Sequence, residues 1–222
     1  MQFYGDNSRL NGVHTCIIPA IAHGGSAQLA IDMLVTTLGF QLAGRLLSDH
    51  VASTITVQPL EAHPLSTVTE VFVQDDVVVI QMRGPVLHQG PWSADLAAWL
   101  KQVGVRTVNV WSSVDRFART DSQLEESNPI RHVGKNGGKI RRLEQLAASE
   151  NTADIKKVVG TGNTARMVAA FAEAELECDA FFSFAGEGDN RAIARAFLDA
   201  IPMPVEKAPW REPESWEVVF QE

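Results

Sequence analysis

Hydrophobic positions along the chain follow two rhythms. Short apolar runs bounded by turn residues mark buried strands at residues 15–21 (TCIIPAI), 107–112 (TVNVWS) and 178–184 (CDAFFSF). Between them, apolar residues spaced by three and four mark helices. The turn His23-Gly24-Gly25-Ser26, with Ser26 expected as N-cap, leads into a stripe of Ala27, Ala30, Ile31, Leu34, Val35 and Leu38 that Gly39 closes. Leu29 and Met33 widen that stripe, so this helix is expected to be mostly buried. Residues 40–47 read as a second strand, and residues 69–73 with 77–82 as a hairpin turning at Gln74-Asp75-Asp76. Gly90-Pro91 introduces a helix with Trp92, Leu96, Trp99, Leu100 and Val103 on one face, closed by Gly104. Asp189 is the expected N-cap of a last stripe, Ile193, Ala194, Phe197 and Leu198, which Pro202 and Pro204 stop.

Strand, helix and strand thus recur at roughly 30-residue spacing, the pattern of a mainly parallel sheet covered by helices. The 222 residues suffice for one large α/β domain, expected to span residues 1–222. Residues 114–138 are rich in charge, Asn, Gly and Pro and too long for an ordinary connector, which makes them a candidate functional loop. Residues 209–220 (PWREPESWEVVF) carry two Trp and a final strand-like run, and are expected to pack back onto the body.

Composition narrows the class. With 45% hydrophobic and 21% charged residues the chain is an ordinary globular sequence, which excludes disorder and fibrous repeats. Its formal charge of -8 opposes general nucleic-acid binding, because the phosphate term would be repulsive. Apolar runs stay far below the roughly 18 residues of a bilayer span, and the start MQFYGDNSRLNG has neither the basic nor the apolar region of a secretory signal. Cys16 and Cys178 lie in apolar runs without a second pair, so both read as reduced thiols of a cytosolic or nuclear protein.

Three segments invite chemistry. Residues 158–165 (VVGTGNTA) fit G-x-G-x-x-A, where small residues let a backbone approach a pyrophosphate at a helix N-terminus. The flanking context is poor, and a glycine turn leading into a helix is the better reading. Glu187-Gly188-Asp189-Asn190 puts two carboxylates after a strand, where an α/β enzyme keeps an acid and a base, but a turn with a capping residue explains it better. His23 beside Gly24-Gly25 lacks the Lys-Ser/Thr of a P-loop, and the six histidines show no zinc spacing. Arg131, Lys135, Lys139, Arg141 and Arg142 form a basic segment, either a solvated helix edge or a contact for an acidic protein partner. An enzyme of phosphorylase-like or nucleotide-binding type would have to use the Gly160-Gly162 turn or the Glu187-Asp189 loop.

Several of these segments, taken in order, resemble the proteasome assembly chaperones, and within that family the second subunit of the heterodimeric pair. The resemblance is carried by IPAIAHGGSAQLAIDMLVTTL (residues 18–38), ARTDSQL (118–124) with Pro129-Ile130-Arg131, FAGEGDN (184–190) and WREPESWEVVF (210–220). It singles out Pro19, His23, Gly24, Gln28, Asp32, Arg119, Asp121, Gln123, Glu187, Gly188, Asp189, Asn190, Trp210, Pro213, Trp216 and Phe220. It implies a three-layer α/β/α sandwich related in shape to nucleoside phosphorylases, and a role without catalysis or cofactor. The implied partners are the first chaperone subunit, as a heterodimer, and the proteasome α subunits on the outer face of their ring, with no nucleic acid and no membrane. Chaperones of this pair can dock a hydrophobic-Tyr-any tail, whereas this sequence ends Phe220-Gln221-Glu222, so tail docking is expected of the partner.

Overall fold

The computed structural model describes residues 1–53, 55–57, 65–119, 130–134, 144–145, 160–200 and 209–219. The strands are β1 (Gln2–Gly5), β2 (Thr15–Pro19), β3 (Gln41–Leu47), β4 (Ile55–Val57), β5 (Leu65–Thr67), β6 (Thr69–Gln74), β7 (Val77–Met82), β8 (Thr107–Asp115), β9 (Ile130–Gly134), β10 (Glu144–Gln145) and β11 (Glu177–Ala185). The helices are α1 (Ser26–Leu38), α2 (Gln89–Gln102), α3 (Thr164–Glu173), α4 (Arg191–Ala200) and the short α5 (Trp216–Val219).

Among the described residues nine strands form one sheet in the order β1-β3-β6-β7-β2-β8-β11-β9-β10, while β4 and β5 pair by themselves. The sheet is mixed, which corrects the expectation of a mainly parallel one. Parallel pairing runs through β7, β2, β8 and β11 and recurs between β9 and β10. The pairs β1–β3, β3–β6, β6–β7 and β11–β9 are antiparallel. Among the described residues no helix lies between β3 and β7, and a parallel neighbour needs a crossover of a dozen residues or more, so this stretch meanders.

Alternation along the central strands feeds two cores. Cys16 and Ile18 of β2, Val108 and Val110 of β8 and Ala180 and Phe182 of β11 face Trp92, Leu96, Trp99 and Leu100 of α2 and Met167, Val168 and Phe171 of α3. Ile17, Val79, Trp111 and Phe181 point the other way, against Ala30, Ile31 and Leu34 of α1 and Phe197 and Leu198 of α4. Helices therefore cover both faces, which is why β7 (VVVIQM) is buried at every position and reads as a continuous apolar run.

Gly39 closes α1 as expected, its N–H donating to the Val35 carbonyl. Ser26 is not the N-cap: Gly25 holds that place, and the Ser26 hydroxyl instead shares a 2.7 Å hydrogen bond with Ser183 of β11. The candidate loop at 114–138 contains β9, which its polar flanks conceal, and the final strand-like run begins as the helix α5. Pro202 and Pro204 lie outside the described residues. Cys16 and Cys178 both pair in register with Val108, from opposite sides of β8. Two strand spacings, about 9.6 Å, exceed any disulfide's reach, and both thiols are free.

Candidate functional site

The parallel strands β2, β8 and β11 end at the same edge of the sheet, where their following turns meet. Three chain segments lock together there. The Ile21 N–H donates to Asn163 Oδ1 at 2.9 Å, and the His23 N–H donates to the Gly160 carbonyl at 2.9 Å. The Ser113 hydroxyl of β8 donates to the His23 carbonyl. From the loop after β11, Asn190 Nδ2 donates to the carbonyls of Gly24 and Gly186, each at 2.8 Å, while its Oδ1 accepts the Gly186 N–H at 3.3 Å. Asn190 is 3% exposed, so it serves as an internal strut between two turns. Beneath this edge, the Ser112 hydroxyl of β8 shares a 2.7 Å hydrogen bond with Thr164, the first residue of α3.

The glycine motif is explained by these contacts. Gly162 has φ of +56°, and a Cβ there would stand 1.8 Å from the Ile21 carbonyl oxygen. The close approach that a dinucleotide would require of this turn is taken by the chain itself, in keeping with the turn-before-helix reading. Val158 and Val159, ahead of the motif, lie outside the described residues.

The carboxylates of the neighbouring loop are similarly occupied or open to water. Asp189 Oδ1 accepts the Arg191 N–H at 2.9 Å, and Asp189 Oδ2 pairs with the Arg191 guanidinium at 2.7 Å. The Arg191 side chain and then its backbone N–H hold the Asp189 carboxyl below the usual carboxylate range. Asp189 thus acts on the first turn of α4, close to its expected capping role, and Glu187 is exposed. The edge brings His23, Gly24, Gly160, Gly162, Gly188, Asp189 and Asn190 together. Its hydroxyls are paired with one another or with carbonyls, an arrangement that fixes backbone positions and supplies no nucleophile with an adjacent base. No group of three or more His, Cys, Asp or Glu suited to a metal occurs among the described residues, and no helix there is long and apolar enough to cross a membrane.

Other singled-out residues sit elsewhere. Pro19 is buried at the end of β2. Gln28 and Asp32 belong to a polar cluster on α1: buried Gln81 donates to the Gln28 carbonyl at 2.9 Å and to Asp32 at 2.6 Å. Arg83 bridges Asp32 at 2.6 Å and the buried Glu70 at 2.8 Å. Trp210, Pro213 and Trp216 form a strap across α1 and α4. Arg119 stacks on Phe184, its guanidinium carbon 4.7 Å from the ring centroid. Arg131 is corrected: at 1% exposure, bonded to the Ile130 carbonyl and 5.7 Å from the Phe184 ring, it cannot join a solvated basic face. Its place in the interior of β9 aims it inward. Lys135, Lys139, Arg141, Arg142, Asp121, Gln123 and Phe220 lie outside the described residues. The sequence singles out neither Asn163 nor Phe117. Asn163 follows a glycine turn and reads only as a cap, while Phe117 is an apolar residue amid charge, a pattern that signals exposure.

Comparisons with known proteins accord with this arrangement. A family model described as the PAC2 family matches residues 16–197. Proteasome assembly chaperone 2 of Xenopus tropicalis is 26% identical, over 93% of this chain and 91% of its own. The protein of the same name from Danio rerio is 24% identical with the same coverage. The crystal structure of Pyrococcus furiosus PbaA, an archaeal homolog of proteasome-assembly chaperone, superposes with a TM-score of 0.64 at 13% identity, over 86% of this chain and 80% of its own, a likeness of fold.

Proposed function

The chain belongs to the PAC2 family, and from that premise we propose that it is a chaperone for assembly of the proteasome core particle. The observation that carries this reading is the family match over residues 16–197 together with full-length similarity to proteins named proteasome assembly chaperone 2. It acts as a heterodimer with the first chaperone subunit, on the outer face of the α-subunit ring, in the cytoplasm or nucleus. It works through protein surfaces and needs no turnover or cofactor. Supporting that reading, the glycine turns that would serve an enzyme of phosphorylase-like shape are filled by neighbouring backbone.

The test is to tag the protein in its native cells, purify it gently and identify co-eluting chains by native mass spectrometry. The expected result is one similar-sized partner plus proteasome α subunits, with mature β subunits scarce. A monomer or homo-oligomer carrying a bound nucleotide or phosphate, with no α subunits, would overturn it.

A further inference from the structure

We propose that Phe117 is an anchor for a protein partner whose contact surface offers an apolar pocket rimmed by carboxylates; this rests on the reading that the chain works through protein surfaces. The ring is 82% exposed, far more than the other exposed large hydrophobic residues among those described, Tyr4, Leu47 and Leu87. It stands on the short 3-10 turn Arg116–Ala118 that follows β8, at the carboxyl edge described above. Two contacts hold the turn. Asp115 Oδ1 accepts the Phe117 N–H at 2.9 Å, and the Arg116 side chain lies across Gly186, where an added Cβ would meet its Nε at 2.9 Å. An aromatic ring displayed on an already ordered turn needs little further ordering to bind, and interface cores are enriched in aromatic residues, Phe among them, and in Arg.

Charge specifies the partner. The Arg116 guanidinium lies 5.1 Å from the Phe117 ring centroid, and Arg119 stacks on Phe184 two residues further on. Neither has a carboxylate partner among the described residues, in a chain whose formal charge is -8. The exposed Arg116 guanidinium beside an exposed ring fits a surface that supplies carboxylates around an apolar pocket.

The experiment compares affinity-purified wild-type chain with Phe117→Asp, Arg116→Glu and the control Tyr4→Asp, each read by native mass spectrometry and thermal unfolding. Wild type and Tyr4→Asp should retain the same partner, and Phe117→Asp should retain at least about tenfold less at unchanged Tm. Arg116→Glu should lose partner in the same direction, most clearly at low salt. A photoreactive benzoylphenylalanine at position 117 should crosslink to an apolar peptide flanked by Asp or Glu. Retention by Phe117→Asp within about twofold of wild type overturns the proposal, as does recovery of wild type with no protein partner, or a crosslink to a basic surface. If the partner lost by Phe117→Asp is neither a proteasome subunit nor a chaperone, the anchor stands and the proposed function falls.

Discussion

At the residue level, the candidate site is a set of backbone approaches that only small or buried polar residues permit. Gly162 and Gly188 both have positive φ, yet they differ in surroundings: a Cβ on Gly162 meets the Ile21 carbonyl, whereas one on Gly188 meets nothing within 4 Å. Gly188→Ala should therefore cost only the left-handed backbone penalty, about 1–2 kcal/mol. Gly162→Ala adds a steric clash with main chain and should cost at least about 3 kcal/mol. Urea unfolding checks this through the midpoint at constant slope; equal losses would show that Ile21 does not press on the turn. The glycines and Asn190 stood out in the sequence as turn residues. Their meeting did not, because His23 follows β2, Gly160 leads into α3 and Asn190 follows β11, segments far apart in the chain.

Among the elements, the C-terminal strap shows how a charged, tryptophan-rich segment becomes structural. Trp210 Nε1 donates to Asp199 at 2.8 Å, and Glu212 accepts from Arg191 at 3.2 Å and from Arg195 at 2.5 Å, which fastens the strap to α4. Arg211 donates to the Thr36 carbonyl at 3.0 Å at the end of α1, where a cation also suits the helix dipole. Trp216 then inserts into the core shared by α1 and α4. Trp216→Ala should destabilise by about 3–5 kcal/mol. Arg211→Ala, at an exposed ion-dipole contact, should cost no more than about 1 kcal/mol. Thermal unfolding that ranked the two equally would mean that the strap is held by its charges and not by its aromatic core contact. The expectation that this segment packs inward holds. Its local conformation differs from the strand-like reading because four apolar residues are too few for periodicity to separate helix from strand.

For the whole molecule, the thiols of buried Cys16 and half-buried Cys178 couple stability to alkaline pH. Burial pushes the pKa of Cys16 and Cys178 far above the ordinary thiol value, with desolvation the leading cause for each. The folded state thus keeps both protons where the unfolded chain loses them. For such raised groups the stability is intact below the unfolded thiol pKa of about 8.5 and declines as pH climbs above it, approaching about 2.7 kcal/mol per pH unit for two thiols. Urea unfolding at pH 7.5, 9 and 10 should show a steeper alkaline loss in wild type than in the Cys16→Ala, Cys178→Ala double variant. Parallel curves would rule out the thiols as its source.

The sequence by itself determined the α/β class, the helices α1, α2 and α4, the central strands and the order of the family segments. Each of these rests on a period or a turn residue that neighbours in the chain can express. Tertiary structure alone decided the mixed pairing, the burial of Arg131 within β9, the release of Ser26 from capping to its bond with Ser183, and the display of Phe117 at the sheet edge. Strand direction and side-chain partners depend on which distant segments come to lie side by side, and no local pattern of apolar and polar residues encodes that choice.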